Sequence, residues 1–273
     1  SVDISEPADP SVTFWRDVPA PTLSVTDFEF DDGQLYVAGL SNGEFASTLR
    51  TISYPFEAGV ETTSIEMFHT AHNQNETRAP IRAMAMVDLD GTKTMVAAYT
   101  CTPLVTIPVD ALEDGAHVVG NTVAELGYGN RPLEVLSLSA YNMERQPEEF
   151  VLVINREMSA NLIKLEELAA APALTEPFAA LGDTLGADGM HIPFAGILQA
   201  DDQDAQFILT LRRNIDTGDV DLISSMKGVY FRLSDFVSEY TFPDYTYAEN
   251  QVGTQMFHNM MKPLEGYPEL VIE

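Results

Sequence analysis

The chain has 273 residues, 45% of them hydrophobic, enough for a large packed core and incompatible with a disordered polymer. Its 42 Asp and Glu against 14 Lys and Arg give a formal charge of −28, which repels nucleic acid and anionic bilayers and attracts a basic partner such as a positively charged electron carrier. A single cysteine, Cys101, excludes an intrachain disulfide, a cysteine-built zinc or iron–sulfur site and covalent c-type haem, and no apolar run reaches the about 20 residues of a membrane-spanning helix.

Ser1 to Pro10 carry neither the basic nor the apolar region of a signal peptide, so the chain reads as soluble, and as a processed mature form or a fragment. The first structured stretch lies near 22–68. Val25-Thr-Asp-Phe-Glu-Phe30 leads through Asp31-Asp-Gly33 into Gln34-Leu-Tyr-Val-Ala-Gly-Leu40, then Ala46-Ser-Thr-Leu-Arg-Thr-Ile-Ser53, with Glu61 to Phe68 available as an outer strand. The second, near 80–126, runs from Ile81 to Leu89, turns at Asp90-Gly91, continues over Thr94 to Thr100 and Pro103 to Val109, and offers Thr122 to Leu126 as its outer strand. Cys101 sits beside the strand-like run Met95 to Thr100, where a buried inert thiol is the default.

The third stretch, near 132–170, comprises Pro132 to Ser139, Glu149 to Asn155 and Ala160 to Lys164, followed by a short helix over Leu165-Glu-Glu-Leu-Ala-Ala-Ala171. The fourth, near 190–240, comprises His191 to Leu198, Ala205 to Leu211 and Asp219 to Ser224, with a helical turn at Ser234 to Glu239 and a C-terminal extension over 241–273. Each copy has a narrow, small-residue first strand, an acidic or glycine turn, an apolar second strand and a more alternating third. That order of apolarity fits a β-propeller blade read from the axis outward. The fold class expected is therefore all-β, a β-propeller of about four blade-like repeats in this chain, with an ordinary β-sandwich as the competing reading. Four copies could close a small ring, or form part of a larger one completed by another polypeptide or a second copy, since a half-ring exposes apolar blade faces.

The segment Asp31-Asp-Gly-Gln-Leu-Tyr-Val-Ala-Gly-Leu40 resembles the extracytoplasmic propellers grouped as YVTN or quinoprotein amine dehydrogenase-like. The resemblance implies a propeller and a periplasmic or secreted location, and says little about activity. Trp15 is the only tryptophan, so neither WD repeats nor the repeated tryptophan docking of pyrroloquinoline quinone propellers is present, and that cofactor is not expected.

Chemistry on such a ring concentrates in the loops that lead into the innermost strands. The most polar, Phe68-His-Thr-Ala-His-Asn-Gln-Asn-Glu-Thr-Arg-Ala-Pro80, holds His69, His72 and Glu76, which a turn would bring onto one transition metal (copper, zinc or iron). His191, before the fourth copy, is expected on the same rim as a further metal ligand. Arg78, Arg82, Asn130, Arg131 and Asp188 are the expected ligand-binding groups of that face, the arginines suited either to a carboxylate ligand or to neutralising the acidic groups around them. Met256-Phe-His-Asn-Met-Met261 mixes thioether and imidazole, a combination that suits copper, although core packing is its default role.

No P-loop, Gly-x-Gly-x-x-Gly, Gly-x-Ser-x-Gly or His-Glu-x-x-His occurs, and no catalytic residue is assigned. The functional expectation is a metal- or small-ligand-binding propeller serving as an oxidoreductase subunit. The competing expectation is a non-catalytic scaffold that recognises another chain.

Overall fold

A computed structural model describes residues 8–14, 18–156, 160–177, 184–192, 194, 197–213 and 217–231, the side chains of 14, 101, 102, 128–130 and 229 excepted. Among these residues the chain is all-β, with helix confined to two short α-helices and two 3-10 turns. A small hairpin, β1 (Thr13–Phe14) with β2 (Val18–Pro19), precedes four successive strand groups.

The first group is β3 (Asp27–Asp31), β4 (Gln34–Leu40), β5 (Ser47–Ser53) and β6 (Glu61–His69), paired antiparallel in that order, with the short β7 (Gln74–Glu76) folded back on β6. The second is β8 (Ile81–Leu89), β9 (Thr92–Tyr99), β10 (Cys101–Pro108) and β11 (His117–Asn130), again antiparallel in order. Two-residue hairpins start both groups, because Asp32-Gly33 and Asp90-Gly91 take positive φ at both central positions, as a turn matching strand twist demands. The outer strands β6 and β11 then pair parallel over Ser64–Met67 and His117–Gly120, joining the two groups into one sheet, to which a further short strand from later in the chain adds the tenth member.

The third group is β12 (Pro132–Tyr141), β13 (Pro147–Asn155) and β14 (Ala160–Lys164), after which α1 (Leu165–Ala170) forms where the sequence predicts it. Beyond it, β15 (Leu185–Gly186) pairs with β11 and β16 (Met190–Ile192) pairs with β14. The fourth group is β17 (Ile197–Asp202), β18 (Phe207–Arg213) and β19 (Val220–Met226), followed by the single turn α2 (Gly228–Phe231).

The continuous strand expected over His191 to Leu198 is not formed. Its first half belongs to the third group as β16, and the fourth group begins only at Ile197. The apolar run is unbroken in composition, yet its halves pair with different neighbours, and Pro193 between them has no N–H to carry a ladder through. The helical turn expected at Ser234 to Glu239 and the extension 241–273 lie outside the described residues.

Apolar burial is organised between groups. One cluster joins Tyr36, Ala38, Leu49 and Ile65 of the first group to Met84, Met95 and Val105 of the second. Another joins Ala83, Val96 and Leu104 of the second to Val135, Val151 and Ile163 of the third. The next joins Leu138, Phe150 and Leu162 of the third to Ile197, Ala200 and Ile208 of the fourth. Side-chain carboxylates tie neighbouring first strands in the same way at two seams: Asp27 Oδ2 accepts from the Met84 N–H at 2.7 Å, and Asp202 Oδ2 from the Ser139 N–H at 3.4 Å. At the second seam the fully buried Lys227 ammonium also pairs with Asp202 and donates to the Ser139 carbonyl at 2.5 Å.

Candidate metal centre

The polar loop after the first group folds as a hairpin. Register pairs Met67 with Glu76 and His69 with Gln74, and the connecting residues close tightly: the His72 N–H donates to the His69 carbonyl at 3.2 Å and the Asn73 N–H to the Thr70 carbonyl at 3.2 Å. Asn73 takes φ +49, a left-handed position that asparagine tolerates better than most residues. Strand alternation then decides the rest. Ile65, Met67 and His69 share the buried side of β6, so the His69 ring is drawn in with the core at 2% exposure while the turn carries His72 back over it.

Three side chains therefore converge. His69 Nδ1 lies 3.2 Å and His72 Nδ1 2.5 Å from the same oxygen, Glu76 Oε1, and one ligand atom from each residue falls within 4.8 Å of the others. The imidazole centroids are 4.1 Å apart, and Gln74 Nε2 adds a 3.4 Å contact to the same oxygen. Burial pushes the Glu76 carboxyl up, but the hydrogen bonds from His69 and His72 outweigh it and pull the group down to about 2, so it is ionised at any ordinary pH. Two imidazoles and one ionised carboxylate are a donor set for zinc, copper or iron, and at 54% exposure His72 leaves a side of the site open to solvent.

The other expected site residues are dispersed. His191 stands opposite Asn161 on the edge strand β16, not on a loop that enters a first strand, and is not in the gathered set. Arg78 is exposed. Arg82 is half-buried, and its guanidinium is held below its ordinary value by burial and then by Arg131, so these two arginines of the expected ligand face do lie near each other. Asp188 accepts from the N–H of its own neighbour Gly189 at 3.0 Å. Asn130 ends β11 with its backbone opposite Cys101, but both side chains, like Met256 to Met261, lie outside the described structure.

A second constellation escaped the sequence reading. Glu29 on β3 and Glu134 on β12 are each raised to about 7, Glu29 by burial and then by Asp27, Asp31 and Asp201, and Glu134 by burial and then by Asp27, Glu29 and Asp201. First strands of three groups thus present carboxylates to one another. The signal was available in Asp27-Phe-Glu-Phe-Asp31, where acids alternate with phenylalanines on a strand otherwise destined for the interior. No protein-family model matches this chain, and no curated protein matches it.

Proposed function

We propose that the four strand groups are blades of a β-propeller and that the chain binds a transition metal through His69, His72 and Glu76. The blade reading is supported by the apolar clusters, which join the first group to the second, the second to the third and the third to the fourth. It is supported further by the mutual influence of carboxylates on β3, β12 and β17, which is what first strands flanking a common axis would produce. The setting is the extracytoplasmic one implied by the resemblance of Asp31–Leu40.

The metal reading rests on one observation, the meeting of three ligand atoms within 4.8 Å on a hairpin whose backbone holds them there. A hairpin-borne set of two histidines and a carboxylate leaves a fourth coordination position for water or a small ligand. Elemental analysis of protein purified without added metal tests it. Stoichiometric zinc, copper or iron, lost in a His69→Ala, His72→Ala double variant that still folds, is the expected result.

A scaffold role is favoured by a different observation. Phe28 and Leu222, 67% and 66% exposed, lie on faces of the first and fourth groups that point away from the shared clusters. Absence of metal together with a stable copurifying chain in the same preparation would establish that role in place of the first.

A further inference from the structure

Glu125 on β11 is 1% exposed, and its Oε1 accepts twice from a single residue, from the Thr70 N–H at 3.0 Å and the Thr70 hydroxyl at 2.6 Å. Thr70 is itself 1% exposed and follows His69 directly, so this carboxylate grips the first residue of the turn that carries His72. The other oxygen, Glu125 Oε2, is buried and has no hydrogen-bond partner among the described residues. Ladder pairing does not require this arrangement. Ala124 and Glu125 pair along their backbones with β10 and β15 whatever the side chain, and a leucine at Glu125 would bury no acid.

A buried acid with one oxygen committed to the metal-bearing turn and the other unanswered is suited to holding that turn for a cation. We propose that Glu125 is a positioning residue for the His69–His72–Glu76 centre: it fixes the turn through Thr70 from the neighbouring strand group. The proposal rests on the metal reading above. It assigns Glu125 no direct bond to the ion. Its part is to keep the two imidazoles and Glu76 in register with one another, as the outer partners of metal ligands commonly do.

Cobalt(II) titration of the full chain, followed by the visible absorption of the bound ion, tests this with wild type, Glu125→Gln, Thr70→Val, Thr70→Ser and His72→Ala. Glu125→Gln is expected to weaken cobalt binding by roughly 10- to 100-fold and to change the absorption spectrum of what remains bound. Thr70→Val should weaken it in the same direction, whereas Thr70→Ser, which keeps the hydroxyl donor, should match wild type. If Glu125→Gln fails to fold, the contrast between Thr70→Val and Thr70→Ser decides alone. Wild-type binding that needs His72 but is unchanged in affinity and spectrum by Glu125→Gln or Thr70→Val overturns the positioning role and leaves the metal reading intact. No His72-dependent cobalt binding in wild type overturns both.

Discussion

Gly39 and Arg50 show how single residues bind the first group to the segment before it. A Cβ at Gly39 would stand 2.0 Å from the Ser24 carbonyl oxygen, so the backbone of Ser24 lies against β4 only because that side chain is absent. Arg50, 1% exposed, spans the same contact, donating from Nη1 to the Ser24 carbonyl at 3.1 Å and from Nη2 to the Leu40 carbonyl at 3.1 Å. Burial holds its guanidinium below the ordinary value, but the two carbonyls replace lost water and keep it charged. Gly39→Ala must therefore displace backbone that Arg50 has pinned, and should cost about 3 kcal/mol or more, measured by urea denaturation. A substitution that leaves the denaturation midpoint unchanged would mean that Ser24 does not pack there.

At the scale of elements, the turns carry more information than the strands. Gly91 takes φ +83 with nothing within 4 Å of a built Cβ, so its requirement is purely conformational, the reverse of the case at Gly39. Gly91→Ala should lower stability by about 1–2 kcal/mol through the left-handed backbone alone, seen as a lower melting temperature with an unchanged β signal in circular dichroism. The same turn chemistry is why β4 and β8 fall where the sequence predicts them: Asp-Gly pairs set the register, and alternation sets the buried face. The parallel pairing of β6 with β11 and the assignment of β16 to the third group were not legible, because which edge a strand joins depends on residues far away in sequence, such as Ser64 for His117 and Asn161 for His191. The turn that gathers the candidate ligands was half legible. The spacing of His69, His72 and Glu76 is local and a hairpin suffices to gather them, whereas placing His191 relied on a strand boundary that pairing moved. Glu125 gave no sequence signal at all, since its meaning lies in a bond to Thr70 across two strand groups.

For the molecule as a whole, charge is the dominant fact, and its effect on folding can be worked out from the carboxylates gathered by the first strands. Glu29 and Glu134, both raised to about 7 from 4.5, keep protons in the folded chain that the unfolded chain has released across the interval between those values. The folded state then binds more protons than the unfolded one, so stability falls as pH rises from about 4.5 to about 7, and the penalty is complete above the folded value. Repulsion within a chain of net charge −28 acts in the same direction. Melting temperature at constant ionic strength should accordingly be higher near pH 5 than near pH 8 by a few degrees, with Glu29 and Glu134 only partly buried and the effect reduced by solvent. A Glu29→Gln, Glu134→Gln double variant should flatten that difference while matching or exceeding wild type at pH 8, because an amide occupies the same space without the charge. Equal slopes in the two proteins would show that these acids do not share a common interior, and would remove the electrostatic support for blades arranged around one axis.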